Sequence, residues 1–115
     1  MKVLVCGSRD YDQRERVYAR LLRLPKNTMI IEGCARGADT MAGEFADEYG
    51  YPHIRVAANW EFYHKAAGAI RNNWMLDLEP DLVIAFHPGL ERWSKGTKDT
   101  VSKARRRSIP VEVIK

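Results

Sequence analysis

The stretch EGCARGADTMAGEF, residues 32–45, contains the change from a strand pattern to a helix pattern. It follows the apolar run 28–31 and places Gly33 and Gly37 on either side of Arg36. After the second glycine, apolar residues recur three and four positions apart, which is typical of one face of an amphipathic helix. A branched strand that ends in glycine and enters such a helix predicts a βα unit of a parallel sheet.

The same alternation runs along the whole chain. The predicted strands are residues 2–6, 28–32, 53–57, 81–86 and 110–114, and most are apolar almost throughout. The predicted helices are residues 13–24, 37–49, about 66–78, and 97–107. Strands without a polar face must be covered on both sides. With right-handed crossovers, these elements predict an α/β fold with helices on both faces of a five-stranded parallel sheet.

The 115 residues are the length of one domain, residues 1–115, and carry a formal net charge of +4. Many of the basic residues lie in the last third of the chain. They suit either a solvated helix face, the commoner arrangement, or a polyanion. The chain shows no apolar run of membrane length and no secretory leader, so we expect a soluble cytoplasmic protein away from membranes.

The two cysteines and three histidines show no metal-binding spacing. Cys6 and Cys34 each lie near the end of a strand-like run, which predicts buried free thiols. Without a CxxC or HxxxH pair, we expect neither a metal site nor another cofactor.

Parallel sheets bind ligands outside the carboxyl ends of their strands, at the point where the strand order reverses. The turn after the second predicted strand would place unpaired N–H groups there, with Arg36 as a forked donor for an oxyanion. Asp39 would accept from a ribose hydroxyl or activate a water. The turn Gly7-Ser8-Arg9 repeats the pattern. The alternative is that the glycines only make tight turns and that Arg36 is solvated.

Two later segments extend this argument. Gly68, Arg71 and Asn72 lie near the start of the third predicted helix, where Arg71 and Asn72 would face a ligand; alternatively, Gly68 is a packing contact and Arg71 pairs with an acid. Gly96 precedes Thr97, which we expect to cap the last helix, with about 1 kcal/mol of stability lost on its removal. A phosphate or sugar at the same helix start is compatible with that cap.

In order, these motifs resemble the YspA-like, YpsA-related branch of the SLOG superfamily. That superfamily also contains the DNA-processing protein DprA and the LOG nucleotide hydrolases. The resemblance spans nearly the whole chain and rests on five segments: Gly7-Ser8-Arg9-Asp10, Gly33-x-Ala35-Arg36-Gly37-Ala38-Asp39, Ala67-Gly68-x-x-Arg71-Asn72-x-x-Met75, Gly96-Thr97-x-Asp99 and Ile109-Pro110-Val111.

The resemblance implies a Rossmann-like, three-layer α/β/α fold. It also implies a nucleotide or nucleotide-derived ligand, such as an NAD- or ADP-ribose-like molecule, in the crevice at the strand ends. Trp60 would stack on a base. The other residues implied as contacts are Gly7, Ser8, Arg9, Gly33, Arg36, Gly37, Asp39, Arg71, Asn72, Gly96 and Thr97.

The chain departs from the LOG hydrolases at their catalytic motif, Pro-Gly-Gly-x-Gly-Thr-x-x-Glu. Here Pro88-Gly89 is separated from Gly96-Thr97, and Thr100 stands where the glutamate is expected. The sequence therefore neither predicts nor excludes N-glycosidic, phosphoribohydrolase-type activity. Its candidate catalytic residues are Asp39, Asp99 and Arg71.

Two other function classes compete with small-ligand binding. A nucleic-acid-binding domain would use the positive charge and exposed aromatics, for which the candidates are Trp60, Tyr63, Trp74 and Trp93, although Trp74 lies on the helix stripe and is expected in the core. A purely structural partner protein would not need the glycine-arginine pairs at strand ends. Because so small a sheet leaves apolar surface on its helices, we also expect a homo-oligomer.

Overall fold

The computed structural model describes residues 1–87 and 94–115. Five strands form one sheet in the order β3-β2-β1-β4-β5, and every neighbouring pair is parallel. The strands are β1 (Lys2–Gly7), β2 (Met29–Glu32), β3 (His53–Arg55), β4 (Leu82–Phe86) and β5 (Val111–Ile114). The predicted five-stranded parallel sheet is confirmed. Pro88, Gly89 and Trp93 lie outside the described residues.

Five helices and one short turn connect the strands. They are α1 (Arg14–Leu21), α2 (Ala38–Tyr49), α3 (Trp60–Tyr63), the 3₁₀ turn His64–Ala66, α4 (Ala67–Asp77) and α5 (Lys95–Arg106). None of the helices in the described ranges is long and apolar enough to cross a membrane.

Alternate residues of β1 point to opposite faces of the sheet and divide the core in two. Val3 and Val5 join the residues of α1 and α2, including Val17 and Phe45, on one face. Leu4 and Cys6 join the residues of α4 and α5 on the other face, including Met75, Leu76, Val101 and Ala104. The molecule is therefore the predicted three-layer α/β/α, Rossmann-like fold.

Most element boundaries differ from the predicted ones by one to three residues. α1 ends at Leu21 rather than at residue 24, although Leu24 is still buried. β3 ends at Arg55, two residues before the predicted end. The short helix α3 was not predicted, because four residues are too few to show a helical period. Its one sequence signal is Asn59, whose side chain accepts a hydrogen bond from the amide of Phe62 at 3.1 Å.

The start of α5 corrects the predicted helix cap. Ser94, not Thr97, is the capping residue: its backbone is extended and its Oγ accepts from the amide of Thr97 at 3.2 Å. The helix therefore begins at Lys95, two residues earlier than predicted. Thr97 lies in the first turn with its side chain buried, and its Oγ1 accepts from the Ser94 hydroxyl.

The order of the strands positions the site. From β1 the chain crosses to β2 on one side and later returns to β4 on the other side, so the order reverses between β1 and β4. At such a point the connecting loops diverge and leave a crevice outside the strand ends.

Candidate functional site

A crevice of about 400 Å³ lies at the carboxyl end of β1, where the strand order reverses. The turn after β1, the first turn of α2, the middle of α4 and the start of α5 all contribute to its walls. The expected site residues among its lining residues are Gly7, Ser8, Arg9, Asp39, Arg71, Asn72, Gly96 and Thr97. Residues spread over ninety positions of sequence thus share one crevice.

Gly7 and Gly37 both lie where neighbouring atoms come too close to leave room for a side chain. A Cβ atom on Gly7 would lie 2.4 Å from the carbonyl oxygen of Phe86, and one on Gly37 would lie 2.3 Å from that of Ser8. Gly37 also has a φ angle of 76°, which side-chain-bearing residues rarely adopt. Close packing against β4 and α2 therefore explains Gly7 without a ligand, and contact with the turn after β1 explains Gly37.

The turn after β2 does not present the unpaired amides that its sequence predicted. Oδ2 of Asp39 accepts from the amides of Gly33, at 3.0 Å, and Ala35, at 3.4 Å. A carboxylate oxygen of Glu32 accepts from the amide of Cys34. Because buried N–H groups need acceptors, the chain supplies two carboxylates of its own. These three N–H groups are thus not available to an anion.

Asp39 is buried and lines the crevice. Burial and, after it, the negative charge of Glu32 raise the pKa of its carboxyl from 3.8 to about 7, against the lowering effect of the amides of Gly33 and Ala35 and of the positive charge of Arg71. A carboxyl that titrates near neutral pH is suited to general acid or base chemistry.

Glu32 forms a buried network that the sequence pattern did not predict. Its fully buried carboxylate lies 2.8 Å from Nε2 of His53 and accepts from Nε of Arg55 at 3.0 Å. A Cβ on Gly43 would lie 2.9 Å from the ring of His53, so this glycine makes room for the network. A signal was present, since Glu32 is the one acid in an apolar strand. Within the described part of the chain, no group of side chains is arranged to hold a metal ion.

Arg71 connects α4 to the turn after β2. Its Nη1 donates to the carbonyl oxygen of Gly33, and its Nε donates to Oδ1 of Asn72 at 2.9 Å. A Cβ on Gly33 would lie 2.7 Å from Nη1. The guanidinium thus hydrogen-bonds a carbonyl and an amide rather than an acid, and it holds the wall of the crevice in place.

Asp99 differs from Asp39 in its surroundings. Its Oδ2 accepts from Nδ2 of Asn72 at 3.0 Å and lies 2.9 Å from Nζ of Lys103. The first contact joins α4 to α5, and the second is an ion pair within α5. Asp99 does not line the crevice but a neighbouring depression. Of the two candidate catalytic carboxylates, Asp39 is the one in the crevice.

Arg9 lines the crevice and three adjoining depressions, and it is the cation that these hollows share. Gly33, Arg36 and Trp60 line one of the depressions, of about 300 Å³, and not the crevice itself. Arg9 and Arg36 are exposed, and within residues 1–87 and 94–115 neither guanidinium forms an ion pair or a side-chain hydrogen bond.

Trp60 and Trp74 are both partly exposed. Trp60, at the start of α3, is half exposed and lies against Gly68, where an added Cβ would be 3.3 Å from the indole. Trp74 is 40% exposed, so its predicted core position is wrong. Its ring packs edge-on against that of Tyr63, with the ring centroids 5.9 Å apart.

The two cysteines differ in exposure. Cys6 is a buried free thiol, as predicted, but Cys34 is exposed because it belongs to the turn after β2 and not to the strand. Burial raises the pKa of the Cys6 thiol, and the charge of Asp39 adds to that effect. The Cys6 thiol therefore stays neutral and lines the crevice without the thiolate character of a nucleophile.

Comparisons with known proteins agree with this architecture. The Gene 61 protein of Mycobacterium phage D29 is 33% identical over 119 residues, an alignment that covers 96% of this chain and 93% of that protein. The X-ray structure of DNA processing protein A (DprA) from Streptococcus pneumoniae superposes on 99% of this chain with a TM-score of 0.81 and 23% sequence identity. The present chain spans half of that DprA chain, and the likeness concerns the fold.

The sequence pattern of the YspA, cpYpsA-related SLOG family matches residues 1–63, from β1 to the end of α3. This match includes the turns after β1 and β2, whereas Arg71, Asn72, Gly96 and Thr97 lie beyond it. With more than half of its length matched and a relative aligned along nearly all of it, the chain belongs to the YspA, cpYpsA-related SLOG family.

Proposed function

We propose that this protein binds a nucleotide or a nucleotide-derived ligand, of the NAD- or ADP-ribose-like kind, in the crevice at the end of β1. One observation carries the proposal: the guanidinium of Arg9, which has no partner among the described residues, lines the same crevice as the start of α5. The first turn of a helix offers N–H groups and positive partial charge to an anion. A phosphate between Arg9 and Gly96 would use both.

The start of α5 has the room that such a phosphate needs. Among residues 1–87 and 94–115, nothing lies within 4 Å of the position that a Cβ on Gly96 would take, so packing against these residues does not require this glycine. Ser94 already satisfies the amide of Thr97, which leaves the amides of Lys95 and Gly96 as the donors for an anion. The ammonium group of Lys95 adds charge at the same wall.

The other residues would act in different ways. Arg71 and Asn72 hydrogen-bond within the fold and would position the crevice wall. Asp39 would accept from a ribose hydroxyl. Arg36 and Trp60 lie in the adjoining depression, where they would contact a part of the ligand that extends beyond the crevice.

The binding proposal is tested by a thermal-shift screen of nucleotides, NAD and ADP-ribose against the wild-type protein. A ligand at 100 times its dissociation constant stabilises the folded state by ~2.7 kcal/mol, which raises the melting temperature by several degrees. Arg9→Ala and Arg36→Ala should reduce the shift, and Gly96→Leu should abolish it by filling the crevice. Gly96→Ala and Arg23→Ala are the matched controls. If no compound moves the wild-type melting temperature, the proposal is wrong.

Turnover is a separate question about the same site. A base–ribose hydrolase needs a carboxylate that polarises water, and Asp39 meets that need by its position and its pKa. Incubation with nucleoside monophosphates, followed by chromatography for free base, detects the reaction. Release of base that Asp39→Asn stops and Asp99→Asn leaves intact would assign the role to Asp39. No release with a ligand that binds would make the site a sensor.

A nucleic-acid-binding function is the second candidate, favoured by the half-exposed Trp60 beside several cations. Polyanion binding weakens steeply as salt rises, because each phosphate contact releases a counterion. Titration of a single-stranded oligonucleotide at two salt concentrations separates the two functions. Tight binding with a steep salt dependence, and no response to mononucleotides, would favour nucleic acid.

A further inference from the structure

We propose that a ligand in the crevice binds best to the ionised form of Asp39 and so releases a proton, and that Glu32 is a positioning residue that sets the pH at which this happens. This inference rests on the proposed function and deepens it. Glu32 is fully buried and lines neither the crevice nor the three adjoining depressions. Its effect on a ligand would therefore pass through Asp39.

Glu32 and Asp39 share three consecutive amides of the turn after β2. Oδ2 of Asp39 accepts from the amides of Gly33 and Ala35. Glu32 accepts from the amide of Cys34 between them. Both carboxyl groups are buried. Two buried acids on adjacent amides of one turn act on each other's charge, because buried charges are weakly screened.

The second oxygens of the two carboxyl groups have different surroundings. Oε2 of Glu32 lies 2.8 Å from Nε2 of His53 and accepts from Nε of Arg55 at 3.0 Å, so these contacts hold Glu32 in place. Within residues 1–87 and 94–115, Oδ1 of Asp39 forms no hydrogen bond, and no buried side-chain oxygen lacks a partner. Because Asp39 lines the crevice, its Oδ1 is open to the crevice.

Protonation changes the hydrogen-bonding role of Oδ1. Two N–H donors already occupy Oδ2, so a proton on the Asp39 carboxyl resides on Oδ1. The neutral acid presents an O–H donor to the crevice, whereas the ionised form presents a charged acceptor. Burial and, after it, the charge of Glu32 raise the pKa of Asp39 from 3.8 to about 7, so this change falls near neutral pH. The ribose hydroxyl of the proposed ligand donates more strongly to the charged acceptor.

Other charged and titratable groups lie around Asp39. Arg71 of α4 opposes the rise in the pKa of Asp39. Burial raises the pKa of two nearby thiols, Cys6 of β1 and Cys34, so both stay neutral near pH 7. The other charged residues that line the crevice are Arg9, Asp10 and Lys95, and none of the described histidines lines it. A change of binding near neutral pH is therefore expected to originate at Asp39.

Calorimetric titration with NAD at pH 6, 7 and 8 tests the coupling. The pyrophosphate of NAD keeps a constant charge over this range, whereas the phosphate of AMP titrates at about pH 6. The affinity of wild type should rise by about three- to fivefold from pH 6 to pH 8, since a charged acceptor forms the stronger hydrogen bond. At pH 7, titrations in two buffers of different ionisation enthalpy should show release of about 0.3 of a proton per NAD bound. AMP takes the place of NAD if NAD does not bind, with Asp39→Asn as the reference for the titration of its phosphate.

Three variants and a control locate the proton. Asp39→Asn should bind NAD equally well at all three pH values and release no proton. Glu32→Gln keeps an oxygen for the amide of Cys34 but removes the charge, so the pKa of Asp39 should fall and the affinity at pH 6 should exceed that of wild type. Arg55→Gln removes a mostly exposed cation that offsets Glu32 and should move the rise to higher pH, which keeps the test available if Glu32→Gln does not fold. Glu15→Gln, in the exposed part of α1, is the control and should follow wild type.

Each outcome decides between the two proposals. If neither NAD nor AMP binds wild type at any pH, the proposed function fails and the coupling with it. If the ligand binds equally well at pH 6 and pH 8, or more tightly at pH 6, the coupling is overturned while the proposed site stands. A pH dependence that survives in Asp39→Asn belongs to another group, such as His53, and overturns the coupling as well. A pH dependence that is the same in Glu32→Gln, Arg55→Gln and wild type excludes the positioning role of Glu32.

Discussion

At the scale of single residues, Asp39 both stabilises a turn and lines the crevice, while the glycines differ in whether packing requires them. The Asp39 carboxylate accepts hydrogen bonds from the amides of Gly33 and Ala35. The same carboxylate therefore stabilises the turn after β2 and lines the crevice. Backbone contact with the turn after β1 requires a glycine at position 37, whereas no described residue lies close to the side-chain position of Gly96. The sequence marked all these positions as unusual but did not distinguish packing from ligand contact.

The raised pKa of Asp39 predicts how stability depends on pH. In the folded chain this pKa is about 7, against 3.8 as the ordinary value, so between those limits the folded state holds a proton that the unfolded chain has released. The resulting stability is present below about pH 4 and is lost as the pH rises through 7. Asp39→Asn keeps a carbonyl acceptor for the amides and removes the charge. Its stability relative to wild type should rise by ~2 kcal/mol from pH 5 to pH 8.

Urea denaturation of both proteins across that pH range measures the difference. Asp12→Asn, which neutralises an exposed carboxylate, is the control and should follow the wild-type curve. Parallel pH profiles for wild type and Asp39→Asn would show that Asp39 does not titrate near neutrality.

Two glycine substitutions test the packing account. Gly37→Ala should destabilise the fold by about 2–4 kcal/mol, because it combines an unfavourable φ angle with overlap against the turn after β1. Gly96→Ala should leave stability unchanged or raise it by up to about 1 kcal/mol, since alanine favours the helix. Thermal unfolding compares them. Equal losses for the two variants would contradict the account.

At the scale of elements, two local networks set the shape of the site. Glu32 joins β2 to β3 through Arg55, its partner in the register of those strands, and through His53. Ser94 fixes where α5 begins and therefore which amides face the crevice. Sequence periodicity located both helices and strands, but it placed the cap at Thr97. A serine or threonine caps a helix where its backbone is extended, and the spacing of apolar residues does not show which residue has that conformation.

The position of the cap gives a direct mutational test. Ser94→Ala should cost about 1 kcal/mol of stability, because the amide of Thr97 loses its acceptor at the start of α5. Ser102→Ala, in the exposed middle of the same helix, should change stability by less than about 0.5 kcal/mol. Chemical denaturation measures both. A neutral Ser94→Ala would mean that this hydroxyl does not hold the helix start.

At the scale of the whole molecule, the fold followed from simple features. Apolar strands alternating with amphipathic helices predicted the parallel sheet, and the ordered set of turn motifs predicted the family. The internal acceptors of the turn after β2 were not predictable, because they depend on buried carboxylates that meet the turn only in the folded chain. α3 was missed because its four residues show no period.

The exposed aromatics predict self-association. Phe62 is 71% exposed and Trp74 is 40% exposed, and both rings pack against Tyr63. Together the three rings form an apolar surface at α3 and α4. Surfaces of this kind mark protein interfaces. Light scattering over a range of concentrations should show a dimer or larger species, and Phe62→Ser/Trp74→Ser should shift it to monomer. A wild-type protein that stays monomeric at all concentrations would contradict this expectation.

The central claim is that an anionic nucleotide binds between the turn after β1 and the start of α5. The most direct measurement is a titration of the ¹⁵N-labelled protein with AMP, followed through the amide resonances. We expect saturable shifts at Ser8, Arg9, Lys95 and Gly96 that are lost in Gly96→Leu, with little change at Gly50 on the far end of α2. Shifts that are absent, or that fall mainly outside the crevice, would contradict it.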